Sequence, residues 1–153
     1  MPTKDEVVDV LKRTEAYLIQ VLLPFWIENA PDPEFGGFLT HFDATGAPTG
    51  ATTKTFLMQI RTLYTMASAH RAGYGDGACA ELARMGAAFI LDHYWDDAYD
   101  GWLWIADREG TPTCWDKIGY GQCFGVYAFS EYYLATGDDR GREAALRSYD
   151  AIS

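Results

Sequence analysis

The sequence predicts an all-α protein built from repeated helical hairpins. Three observations carry this: a loop motif written twice, apolar residues at helical spacing around each copy, and glycines where those helices stop. Residues 36–49, GGFLTHFDATGAPT, are matched by residues 100–113, DGWLWIADREGTPT, so that Gly37 corresponds to Gly101, Phe38 to Trp102, Asp43 to Asp107 and Gly46 to Gly110. Downstream the correspondence continues one position closer, pairing Lys54 with Lys117, Gln59 with Gln122 and Tyr64 with Tyr127. The period is roughly 64 residues, and a helix–loop–helix unit of that kind buries its apolar face by stacking on its neighbours.

The elements follow in order. A first helix is expected over residues 4–28, ending in Phe25 and Trp26. The first loop, GGFLTHFD, carries β-formers flanked by glycine and predicts a short β-hairpin. A second helix is expected over residues 56–72, where Phe56, Ile60, Leu63, Ala67 and Ala69 recur on one face. Gly73 ends it, since glycine enters the left-handed conformation without strain. A third helix, over residues 77–95, ends in Tyr94 and Trp95 as the first ends in Phe25 and Trp26. The second loop, DGWLWIAD, predicts another hairpin at the same end of the bundle. A fourth helix over residues 118–135 carries Phe124, Tyr127, Ala128, Tyr132 and Ala135 on one face, with Gly137 behind it. A fifth starts near Asp139, and its last residues, ALRSYDAIS, carry no helix-ending glycine, so the chain reads as interrupted.

Composition narrows the partners. Of 153 residues, 48% are hydrophobic and 15% aromatic, enough to build a core. Twelve basic residues against 22 acidic ones give a net charge of −10, which repels a phosphate backbone and argues against nucleic acid. The apolar run Tyr17–Ile27 is shorter than a membrane helix needs and is broken by Gln20 and Pro24. Residues 1–13 interleave Lys4, Asp5, Glu6 and Asp9 with valine and lack the apolar centre of a signal peptide, so a cytoplasmic protein is expected. Cys79, Cys114 and Cys123 show no metal-site spacing and fit reduced structural thiols.

The strings GGF…DATG…TK…QIRTLYTMASAHR and HYWD…DGW…KIGYGQCFGVYAFSEYYLATGD together resemble the N-terminal portion of the N-acylglucosamine 2-epimerase family, which includes cellobiose 2-epimerases and mannose isomerases. The resemblance implies an (α/α)6 toroid with a sugar site at its centre, of which residues 1–153 are the N-terminal part of one domain. It further implies proton removal and return at C2 of an open-chain reducing sugar by two histidines, without metal or cofactor, with a small sugar as partner and a homodimer as the full-length assembly. Arg61, in QIRTLY, matches the arginine that polarises the oxygen becoming enolate-like, and Tyr120, in KIGYGQCF, matches a tyrosine lining the sugar site. The catalytic histidines fall on later hairpins, beyond Ser153.

The residues themselves leave alternatives open. Arg61 shares a helical stripe with Lys54, Met58, Thr65 and Ser68, and a guanidinium buried there needs either a structural carboxylate or a ligand oxygen. Tyr120 and Gln122, at the start of the fourth helix, suit sugar hydroxyls, but aromatics at helical spacing equally suit a core. Lys54 and Lys117 hold equal positions in the two units and are expected to serve the repeat. His41, His70 and His93 have the right chemistry for acid–base work, yet none has a second histidine at useful spacing. A toroidal glycoside hydrolase or unsaturated glucuronyl hydrolase would need two carboxylates; Asp43 and Asp107 read as turn residues, leaving Asp116. A non-enzymatic hairpin scaffold binding through exposed aromatics is the third reading.

Overall fold

A computed structural model describes all 153 residues. Helix α1 (Lys4–Tyr17) begins in a reciprocal cap, in which the Thr3 hydroxyl accepts from the Glu6 amide and the Glu6 carboxylate accepts from the Thr3 amide. It widens into a π-helical stretch (Leu18–Leu22) and continues as α2 (Leu23–Asn29). Pro24 gives the reason. It has no N–H for the preceding turn, and its ring crowds the carbonyl four residues back, so the turn ahead of it takes in an extra residue. The single helix expected over residues 4–28 is therefore one rod with an expanded turn. No residue of α1 is buried, and Val10 and Leu11 lie in solvent.

The rest of the chain runs β1 (Lys54–Thr55), α3 (Phe56–Arg71), α4 (Ala78–His93), β2 (Ile105–Ala106), β3 (Pro112–Cys114), α5 (Gly119–Thr136) and α6 (Asp139–Asp150). These bounds lie close to the expected ones. Helix α3 packs on α4 and α5 on α6, each pair joined by a short connection as a hairpin. Helices α3 and α5 lie side by side in parallel, Arg61 beside Phe124, Tyr64 on Tyr127 and Arg71 paired with Glu131 in order along them. No helix is long and apolar enough to cross a membrane. In the second loop β2 and β3 form the expected antiparallel hairpin. The first loop is pinned by isolated bridges, Pro31 with Phe38 and Phe42 with Pro48, and its strand β1 crosses over to pair with β2, Lys54 opposite Ala106. The sheet, ordered β1-β2-β3, thus joins the loops of consecutive units at one end of the bundle.

Trp102 stands at the centre of the core. Its indole stacks between Phe56 of α3, at 5.2 Å, and Phe129 of α5, at 5.3 Å, and its N–H donates to Ser148 of α6 at 2.9 Å. One loop residue therefore ties three helices, with its polar edge satisfied as burial requires.

Each unit also repeats a side-chain clamp. The Gln59 amide accepts from Phe38 N at 2.8 Å and donates to Phe38 O at 2.7 Å; the Gln122 amide does the same to Trp102 at 2.6 and 2.7 Å. Gly37 and Gly101 precede those residues at φ +67° and +105°, and a Cβ at either would lie 2.9 Å from the glutamine oxygen. Glycine alone allows both the turn and the close approach.

Beside the clamp lies an ion pair. Asp32 accepts the Glu34 and Phe35 amides, Lys54 Nζ at 3.0 Å, and Arg108 at 2.9 and 3.0 Å. The Lys54 ammonium has no exposed surface and completes its shell on the carbonyls of Gly36 and Arg108, each at 2.7 Å. In the second unit Asp96 likewise accepts the Ala98 and Tyr99 amides and takes Lys117 at 2.7 Å. Burial pushes the Asp32 carboxyl up, but the hydrogen bonds from Arg108 and Lys54 outweigh it and hold the group well below the usual carboxylate range. Burial pushes the Lys54 ammonium down, partly offset by Asp32.

Removing the carboxylate leaves two cations facing each other, one of them buried. Asp32→Asn should therefore cost about 3–5 kcal/mol in urea unfolding. At Asp96, where the Lys117 side chain is 24% exposed, Asp96→Asn should cost about 1 kcal/mol or less. Equal losses would show that burial does not set the difference.

The same pair sets a pH dependence. Because the folded Asp32 carboxyl lies below its unfolded value of about 3.9, the folded state binds fewer protons. Its contribution is fully present above that value and is lost progressively as pH falls from it down through the lower folded value. The unfolding midpoint should drop steeply below about pH 4. The drop should be shallower in Asp32→Asn but not abolished, since Asp138, depressed chiefly by Arg140, titrates in the same window.

Candidate functional site

Because the sheet fixes where α3 and α5 begin, their first turns share one face near the loops. From α3 come Met58, Arg61 and Thr65; from α5 come Tyr120, Phe124 and Tyr127, at helical spacing. The aromatic rings form a continuous stripe, with Tyr120 edge-on to Phe124 at 4.9 Å and Phe124 edge-on to Tyr127 at 6.0 Å. Tyr127 in turn stacks on Tyr64 of α3 at 4.2 Å. Arg61 leans toward this stripe, its guanidinium carbon 5.9 Å from the Phe124 ring centre. A cleft of about 270 Å³ opens beside it, lined by Trp26, Met58, Arg61, Thr62, Thr65 and Met66.

Arg61 is exposed, contrary to the burial expected from its apolar helix. The reason is its angular position: the core side of α3 is taken by Ile60, Leu63, Met66 and Ala67, and Arg61 falls on the opposite side with Thr65. No carboxylate lies within ion-pair distance of it, so the structural ion pair offered as an alternative is not formed. The guanidinium faces the cleft as a free cation with five donors.

The other two candidates part ways. Tyr120 is 56% exposed at the head of the aromatic stripe and joins Arg61 on one face through Phe124. Gln122 does not join them. It is 6% exposed and both ends of its amide are taken by the Trp102 main chain, as Gln59 takes Phe38, so it holds the loop from behind. The repeat carried that signal, since a residue present in both units serves what both units share. Read the other way, it also bears on the candidate face. Arg61 corresponds by position to Phe124, and Tyr120 to Leu57: on this face the two units keep Tyr64 and Tyr127 alike but differ at these two positions.

The remaining candidates lie elsewhere. His41 holds the Thr53 carbonyl in the first loop at 2.9 Å, His70 sits in the last turn of α3 at the far end of the helix, and His93 packs against Phe89 at the end of α4. Asp43 and Asp107 accept loop amides of their own turns. Asp116 is exposed ahead of α5. No three His, Cys, Asp or Glu side chains gather as a metal site.

Comparison with known proteins identifies the family and the fold. Residues 36–152 fit the family model of N-acylglucosamine 2-epimerase (GlcNAc 2-epimerase). The cellobiose 2-epimerase of Bacteroides fragilis is 29% identical over 131 residues, covering 86% of this chain and 33% of that protein. The N-acylglucosamine 2-epimerase of Mus musculus is 25% identical over 156 residues, covering 99% of this chain and 37% of that protein. The structure of cellobiose 2-epimerase from Spirochaeta thermophila superposes with a TM-score of 0.86 at 29% identity, over 99% of this chain and 37% of that one. A D-mannose isomerase shares the fold at a TM-score of 0.79 and 22% identity. The chain spans about a third of the length of the curated relatives it matches. Its helical hairpins are a portion of the (α/α)6 toroid, and since the match runs through both loops and both parallel helices, the chain belongs to the N-acylglucosamine 2-epimerase family.

Proposed function

We propose that the α3–α5 face is one wall of the sugar site of a carbohydrate 2-epimerase or aldose–ketose isomerase. The observation that carries this is Arg61, a cation without a carboxylate partner, set in a cleft beside an exposed aromatic stripe. Sugars present apolar C–H faces rimmed by hydroxyls, and aromatic rings with phenolic edges complement both. In an open-chain sugar, loss of the C2 proton moves charge onto the carbonyl oxygen at C1. Arg61 donates to that oxygen and stabilises the transition state more than the ground state. Returning the proton to the opposite face of C2 gives the epimer; placing it on C1 gives the ketose. Tyr120 lines the same wall and binds a sugar hydroxyl. Gln122 acts on the site at one remove, by fixing the loop that leads into α5. The acid and base come from hairpins beyond residue 153, and the whole protein works in the cytoplasm, which three unpaired thiols suit.

Two measurements test the reading. The 153-residue polypeptide by itself, incubated with cellobiose, mannose or N-acetylglucosamine in deuterated water, should show no exchange at C2. Exchange would assign the proton transfer to His41, His70 or His93. In a polypeptide that includes the remaining hairpins, Arg61→Ala should lower turnover about 100- to 1000-fold while leaving the melting temperature nearly unchanged, because Arg61 forms no ion pair in the fold. Arg61→Lys should also be impaired, keeping the charge and losing the planar fork. A destabilised but fully active Arg61→Ala enzyme would end the assignment.

A further inference from the structure

The two units carry the same acceptor surface in different states of cover. In the first, Asp32, the Phe35 ring and strand β1 receive the hairpin of the second loop. Arg108 binds Asp32 through two nitrogens, lies 5.2 Å from the centre of the Phe35 ring, and its carbonyl caps Lys54. The backbone seals the contact, with β1 pairing to β2 and Phe56 N donating to Trp104 O at 2.8 Å. In the second unit every acceptor recurs at its repeat position: Asp96 for Asp32, Tyr99 for Phe35, and Lys117–Ile118 for Lys54–Thr55. Here Asp96 takes one cation instead of two, Tyr99 is 83% exposed, and Lys117 and Ile118 join no strand.

We propose that Asp96, Tyr99 and the Lys117–Ile118 edge form a docking surface for the arginine-bearing hairpin of a further helix–loop–helix unit, bound as the first unit binds Arg108. The occupant is specified by chemistry. It brings a guanidinium at the turn to span Asp96 and the Tyr99 ring, and a short strand to pair with residues 117–118. The loop 30–55 of a second copy fits poorly, because the position matching Arg108 there is Ala44. Asp96 would lose its remaining exposure, and Lys117 would complete its shell on the incoming carbonyl, as Lys54 does.

The inference is independent of the sugar reading and is tested on the chain itself. The probe is a peptide of residues 101–116, with Cys114→Ser, closed by a disulfide between cysteines added at its ends. Added to the isotope-labelled chain, it should shift the backbone amide signals of residues 96–101 and 117–119. The peptide carrying Arg108→Ala should produce no such shifts. Asp96→Asn in the chain should weaken binding about tenfold, and Tyr99→Ala, at a side chain too exposed to unfold the protein, should weaken it as well. Absence of shifts with the peptide in excess, shifts confined to residues 32–36, or equal binding by the Arg108→Ala peptide would each overturn the proposal. Concentration-dependent self-association of the chain that Asp96→Asn abolishes would also overturn it, by making a second copy the occupant.

Discussion

An ammonium group with no exposed surface must find oxygen on every side, and much of the arrangement follows from how Lys54 does so. Its three oxygens come from Asp32, Gly36 and Arg108, so a single side chain holds the first loop and the second together. An unpaired charge there would cost several kcal/mol, so the loops cannot part without exposing or orphaning it. Strand β1, which carries Lys54, passes directly into α3, and the hairpin it binds leads into α5. Fixing the loops thereby fixes where the two parallel helices start. That common start brings Arg61 and Tyr120 onto one face.

The glutamine clamps do for the inside of each loop what the ion pair does for its edge. A Gln amide sets a donor beside an acceptor, as a neighbouring strand would, and Gln59 and Gln122 each satisfy one loop residue in this way. Both loops can then turn into the helical layer without leaving a buried main-chain group unpaired. Trp102 exploits the position. Held at its backbone by Gln122, it drives its ring between Phe56 and Phe129 and its N–H onto Ser148, so loop geometry becomes interhelical packing.

Division of labour follows the repeat. Residues that recur in both units, Asp32 and Asp96, Lys54 and Lys117, Gln59 and Gln122, hold structure. Residues at which the units differ, Arg61 against Phe124 and Leu57 against Tyr120, populate the open face. A symmetric scaffold needs identical contacts at each step, whereas a face that binds an asymmetric ligand needs different groups on neighbouring helices.

The helices, their order and the period were legible in the sequence, because spacings of three and four residues and a terminal glycine are local consequences of helix geometry. So was the framework role of Lys54 and Lys117, through repetition alone. The π-helical turn before Pro24 was not legible, since the helix expected over residues 4–28 is unbroken, and whether a helix kinks, breaks or widens at a proline depends on what its neighbours pack against. Gln122 and Arg61 show where sequence stops. A Gln at the start of a helix suits a sugar hydroxyl as well as a carbonyl, and its partner is the main chain of Trp102, 20 residues away, which no local pattern names. An arginine in an apolar helix looks buried until the angular positions of its neighbours and the packing of α3 on α4 and α5 decide which side is core. Local geometry is written in neighbouring residues, while a hydrogen-bond partner or an exposed face is set by segments that meet only once the chain has folded.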